Sequence, residues 1–133
     1  MNYLLDTHTF LWGIFDDEKL SVNAKEAMRT LENDIYVSTI TYWEIALKYA
    51  TGKLELEGIT PDELPQQARR IDIQTLTISE EEASTFYKLP KMHHKDPFDR
   101  LIIWQAISRS MTLISKDRNM PDYQKFGLQL LWQ

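Results

Sequence analysis

Short apolar runs of strand length alternate with segments of helical period along this chain, and that alternation leaves few folds open. Asn2 to Leu5 is apolar and ends at Asp6, in the manner of a buried parallel strand, and Thr7 to Phe15 then places Phe10, Leu11, Ile14 and Phe15 at helical spacing. Ser21 to Leu31 repeats the helical period, and Ile35-Tyr36-Val37 follows as a β-branched and aromatic strand. Thr41-Tyr42-Trp43-Glu44 has the pattern of a capping box opening the next helix, and Gly52 stands where that pattern stops, as a left-handed terminator does. Beyond a connection punctuated by Gly58, Pro61 and Pro65, Gln66 to Arg70 has helical character and Ile73 to Ile78 alternates like a strand.

The second half continues the order. Ser79-Glu80-Glu81-Glu82 caps a helix that ends before Pro90, and Lys91 to Lys95 forms a basic loop. Asp96-Pro97-Phe98-Asp99 starts the most apolar helix, with proline in the first-turn position it tolerates best. Met111 to Ile114 is the next strand, Ser115 to Met120 a polar turn, and Leu128 to Trp132 a last strand. Strands alternating with helices imply right-handed crossovers and a mostly parallel sheet with helices on both faces. No linker, repeat or low-complexity stretch interrupts residues 1–133, which read as one domain of ordinary size, with 43% hydrophobic residues to build its core.

In such sheets ligands bind outside the carboxyl ends of the strands. Asp6 follows the first strand directly, and Asp117 follows the Met111 strand by a few residues. Glu44 and Asp99 lie in the first turns of their helices, and helical side chains lean toward their own amino terminus, which aims Glu44 at the same edge. Asp99 reaches that edge only if the Lys91 to Lys95 loop carries the chain there. Singly, each acid has an ordinary reading: Asp6 and Asp96 as helix caps, Glu44 as the reciprocal partner of Thr41, Asp99 as a first-turn anion, Asp117 as a turn residue. Independent capping does not explain their gathering at one edge. Clustered carboxylates repel unless a cation neutralises them, and the natural occupant is a hard ion with oxygen ligands, magnesium or manganese, which contacts substrate phosphates.

The absence of cysteine excludes disulfides and thiolate metal sites. The start MNYLLDTHTFLW has no signal-peptide features and no apolar run reaches bilayer length, so the expectation is a cytoplasmic protein with no membrane association. The net charge of -5 lacks the footprint of an ordinary nucleic-acid binder, although bound cations would reverse the local sign at an acidic site. His93 and His94 are adjacent, the wrong spacing for a zinc pair, and read as solvated or phosphate-contacting; His8 reads as a helix-start packing residue. Lys91, Lys95, Arg100, Lys116 and Arg118 flank the acids, either as phosphate contacts or as a solvated charged face. Trp12, Trp43 and Trp104 fall on apolar helix faces and read as core or oligomer contacts rather than base-stacking platforms.

Four short motifs carry a family resemblance over essentially the whole chain. Leu4-Leu5-Asp6-Thr7-His8, Trp43-Glu44-Ile45, Asp96-Pro97-Phe98-Asp99-Arg100 and Ser115-Lys116-Asp117 resemble, in order and spacing, the acidic motifs of PIN-domain nucleases, and within them of the VapC-type toxins of bacterial toxin–antitoxin pairs. The resemblance implies a three-layer α/β/α fold with a five-stranded, mostly parallel sheet. It further implies magnesium-dependent endonucleolytic cleavage of RNA, inhibition by a cognate antitoxin segment in the cleft, and a homodimer. It makes Asp6, Glu44, Asp99 and Asp117 the catalytic, metal-binding acids. Ser115, Arg100, Lys116 and Asp96 are then candidates for holding substrate at the same site.

Two other functions compete. One is an inactive module that keeps the fold and binds RNA or protein in its cleft; the presence of all four acids argues against it. The other is a phosphoacceptor signalling domain, which needs an acceptor aspartate ending the central strand, whereas the acids here lie elsewhere.

Overall fold

The computed structural model describes residues 1–92, 94 and 96–133. Among them, β1 (Asn2–Leu5), β2 (Asp34–Ser38), β3 (Ile73–Leu76), β4 (Thr112–Ile114) and β5 (Gln129–Leu131) form one sheet in the order β3-β2-β1-β4-β5. Every pairing is parallel, with Tyr3 opposite Ile35 on one side and Thr112 on the other. The helices are α1 (Thr7–Phe15), α2 (Val22–Arg29), α3 (Thr39–Ala50), α4 (Leu64–Arg70), α5 (Glu80–Thr85) and α6 (Pro97–Ser108). None is long and apolar enough to cross a membrane.

The two-residue period of the strands divides the core. Tyr3, Leu5, Ile35, Val37, Ile73 and Ile114 face one layer with Phe10, Ala24, Leu64 and Ala68 from α1, α2 and α4. Leu4, Leu76, Leu113 and Leu128 face the other, against Ile102, Ile103 and Ala106 of α6. Both sheet faces are therefore covered, the condition under which an all-parallel sheet is stable. This is the α/β/α sandwich that the sequence implied, and it is wholly rather than mostly parallel.

The expected capping box at Thr41 is not formed. Strand β2 runs on to Ser38, whose buried hydroxyl accepts the Ile40 N–H at 3.0 Å and caps a helix that begins at Thr39. Glu44 thus falls in the second turn of α3, and its carboxylate is free to do something other than cap. The other end matches expectation, with Gly52 at a φ of 74°, a conformation glycine adopts without steric cost. The Ser79–Glu82 capping box is present, and Glu82 also holds Arg109 through both carboxylate oxygens at 2.7 and 2.9 Å, tying α5 to the end of α6.

From β1 the chain winds outward through β2 to β3, then crosses to the other side of β1 to form β4 and β5. The strand order thus reverses between β1 and β4, and at that point the connections leave the carboxyl edge in opposite directions, opening a crevice. Asp6 and Ser115 are the residues immediately beyond the two strands there.

Candidate active site

Asp6 is the N-cap of α1: one carboxylate oxygen accepts the Thr9 N–H at 2.8 Å, and the other accepts the Ser115 hydroxyl at 2.5 Å. Capping and site-building are therefore compatible, because each ionised carboxylate oxygen has a second lone pair to offer. Burial raises the Asp6 pKa, against the lowering effect of its bonds from Ser115 and Thr9. Ser115 in turn accepts the Asp117 backbone N–H at 3.1 Å, so a single buried hydroxyl links the ends of β1 and β4 to the loop carrying the next acid.

Asp117 accepts the Asn119 N–H at 2.9 Å through one oxygen and meets His94 Nε2 at 2.7 Å through the other. An ionised carboxylate can only accept, so the imidazole donates in that contact. The opposite ring nitrogen, Nδ1, lies 3.6 Å from Asp99. His94 is buried rather than solvated, which corrects its reading as a solvated or phosphate-contacting loop residue. It stands between two of the acids, and ligand atoms of His94, Asp99 and Asp117 all lie within 4.8 Å of one another. His93 and Lys95 lie outside the described residues.

On its other side Asp99 meets Glu44 and the α6 cap Asp96, again with carboxylate oxygens mutually within 4.8 Å. Asp96 caps α6 by accepting the Phe98 N–H at 2.8 Å. Glu44 is buried, with one oxygen taking the Thr7 hydroxyl at 2.6 Å and the other pairing with Lys48 at 2.5 Å. Burial and the neighbouring carboxylates of Asp96 and Glu44, with a smaller effect of Asp6, push Asp99 up to about 7.

The structure thus connects all four acids: Asp6 through Ser115 to the Asp117 loop, Asp117 through His94 to Asp99, and Asp99 directly to Glu44. Two further residues contribute, Thr7 within the first motif and Lys48 outside any motif. Thr7 bridges α1 to Glu44. Lys48, one turn beyond Glu44 on α3, has its pKa raised because Glu44, Asp96 and Asp99 together outweigh the opposing effect of burial. Its spacing of four from Glu44 was the available signal, since residues so spaced on a helix are neighbours. Of the basic candidates, Arg100 turns away from the acids, donating to the Leu89 carbonyl at 2.9 Å with its guanidinium carbon 4.8 Å from the Phe86 ring centre. Lys116 and Arg118 are exposed and line a cleft beside Asp6 and Asp117.

The donor set fits a hard divalent cation. Its oxygens are carboxylate oxygens packed at mutual distances a shared ion would bridge, and such an ion would offset the burial and like-charge repulsion that raise the Asp99 pKa. Asp99, Glu44, Asp96 and Asp117 supply the clustered oxygens, and Asp6 is joined to the Asp117 loop through Ser115.

The sequence pattern of the PIN domain matches residues 3–125. The chain belongs to the PIN domain family. A comparison with curated protein sequences found no match. Among solved structures, this PIN domain is similar to a chain of VapBC2 from Rickettsia felis bound to a promoter DNA fragment, with a TM-score of 0.69 at 18% identity over 100% of both chains. It is also similar to a chain of a toxin–antitoxin complex from Klebsiella pneumoniae, with a TM-score of 0.59 at 18% identity over 97% of this chain and 95% of that one. For FitAcB from Neisseria gonorrhoeae the TM-score is 0.60 at 23% identity, over 97% of this chain and 96% of the other. At these identities the likenesses establish a shared fold.

Proposed function

We propose that this PIN domain is a metal-dependent endoribonuclease acting as the toxin of a VapBC-type toxin–antitoxin pair in the cytoplasm. The observation that carries the reading is Asp99, flanked by Glu44 and Asp96 on one side and by His94 and Asp117 on the other, at the edge where Asp6 ends β1. When bound there, magnesium or manganese supplies a Lewis acid that activates water and stabilises the leaving oxygen of a phosphodiester. The chain's own residues hold that geometry. Ser115 fixes the Asp6 carboxylate, Thr7 and Lys48 fix Glu44, and His94 sets the orientation of Asp117. No protein nucleophile is required, and substrate is drawn by cations at the cleft rather than by the acidic chain as a whole.

The antitoxin belongs to the same proposal, supported by the toxin–antitoxin complex among the structural relatives. So does a homodimer: Trp43 is 58% exposed and Leu47 46%, one turn apart on α3, an apolar surface of the kind a partner covers. Expression of the wild type without any antitoxin is expected to arrest bacterial growth, and expression of the Asp6→Asn variant to the same level is expected to leave growth normal. Growth counts and western blots of the two cultures check this. Unimpaired growth with soluble wild-type protein present would refute the toxin reading and favour the inactive binding module.

A further inference from the structure

Beside the acids lies a cleft of about 350 Å³ lined by Asp6, His8, Trp12, Lys116, Asp117 and Arg118. We propose that it is the subsite for one unpaired RNA base adjacent to the scissile phosphate, with Trp12 and His8 as the stacking surface and Lys116 and Arg118 as the phosphate contacts. The proposal rests on the ribonuclease reading and adds to it the residues that hold the base beside the cut.

Trp12 and His8 are one turn apart on α1, with ring centres 5.8 Å apart and planes inclined at 42°, so both rings border the same space. Trp12 is half-buried, and Trp132 at 5.9 Å braces it against the core, which leaves a fixed aromatic surface facing the cleft. A rigid ring of this kind stacks bases with little loss of side-chain freedom, whichever base arrives. Trp12 packs against the core, in keeping with its reading as a core or oligomer contact, and it borders the cleft as well. Helical periodicity places Trp12 on the apolar face of α1 but does not show that the face borders a cleft.

The charge arrangement points the same way. The Lys116 ammonium lies over the Trp12 ring, 6.0 Å from its centre, so a base stacking on that face moves this flexible side chain aside and leaves its cation near the base's phosphate. Arg118 is exposed two residues further on. Asp117 belongs both to this cleft and to the group of acids around Asp99, and Asp6 is tied to the Asp117 loop through Ser115, so a nucleotide stacked here lies beside the acids. The volume is at the small end of ligand sites and suits a single nucleoside. Aromatic stacking requires a base freed from its helix, so paired RNA is excluded from the subsite.

The test is binding of fluorescein-labelled hexa-adenylate, read by anisotropy and by quenching of intrinsic tryptophan fluorescence in EDTA, where metal-dependent cleavage cannot occur. Trp12→Leu is expected to weaken binding about 5- to 100-fold. Trp12→Phe is expected to retain most of the affinity and to lose the tryptophan quenching. Lys116→Ala and Arg118→Ala are each expected to weaken binding and to lower the slope of log affinity against log salt by about 0.7. A fully paired RNA of similar length is expected to be indifferent to Trp12. Should Trp12→Leu fail to fold, the quenching of Trp12→Phe and the two salt slopes decide the matter. Unchanged affinity in Trp12→Leu, or undiminished quenching in Trp12→Phe, overturns the proposal, as does loss of antitoxin binding with RNA affinity unaltered, which would make the cleft a protein-docking site. Because binding is read without metal, a chain that binds through Trp12 but never cleaves sinks the nuclease reading alone, whereas one that cleaves but binds independently of Trp12 sinks this proposal alone.

Discussion

Replacing Asp6 or Asp99 with asparagine is expected to reduce divalent-dependent RNA cleavage by at least about 100-fold while leaving the fold in place. Loss of groups that merely orient a metal ligand commonly costs about 10- to 100-fold, and these two residues are candidates for the ligands themselves. Persistence of the fold follows from the contacts. Asparagine retains an oxygen to accept the Thr9 N–H as the N-cap of α1, and aspartate and asparagine cap about equally well. The Ser115 hydroxyl, which donates to Asp6 in the wild type, can rotate to accept from the new amide. A discontinuous cleavage assay on the purified variants, with circular dichroism to verify folding, checks both halves. Wild-type rates from a folded Asp99→Asn protein would remove the metal site from the mechanism.

The second large effect is on stability. Asp99 keeps its proton up to a pH of about 7 in the folded protein, whereas in the unfolded chain it ionises near 3.8. Between those values the folded state binds more protons than the unfolded state, so raising the pH destabilises the metal-free protein. The stabilisation is complete below pH 4 and exhausted above 7. A shift of about three units corresponds to about 4 kcal/mol at most, and the 21% exposure of the side chain, together with its coupling to neighbouring acids, brings the expectation to about 2–4 kcal/mol. Asp99→Asn in EDTA is therefore expected to melt about 5–12 °C above the wild type at pH 8 and at nearly the same temperature at pH 4. Comparing the two proteins isolates this group, because other titrations are common to both. Melting curves that stay parallel across the pH range would show that burial and the neighbouring acids do not raise the Asp99 pKa.

The fold was largely legible because its determinants are local. Alternation of Leu4 with Tyr3 and Leu5 sets the two faces of β1, and Gly52 and the Ser79–Glu82 box mark helix ends whose geometry depends on a few neighbouring residues. The placement of Asp6 and Ser115 at the ends of β1 and β4 follows from the same logic, since a parallel order puts strand ends on one edge. The start of α3 was less legible: Ser38 and Thr41 are both good caps, and the choice was made by sheet pairing of Ser38 with Leu76, a contact between distant segments.

The same distinction explains the site. His94 belongs to a loop, where no periodicity dictates direction, and its burial between Asp99 and Asp117 comes from contacts with segments distant in sequence. Arg100 shares a motif with Asp99 but lies one residue further round α6, which turns it to Phe86 and the Leu89 carbonyl. Lys48 was visible as a neighbour of Glu44 on α3, yet its influence from Asp96 and Asp99 arises only when α6 packs beside it.

Calorimetric titration of manganese into the purified metal-free protein at pH 8 addresses the central claim without reference to any RNA. The account predicts saturable, stoichiometric binding by the wild type that is lost or severely weakened in Asp99→Asn. Absence of binding, or equal binding by the two proteins, would contradict it.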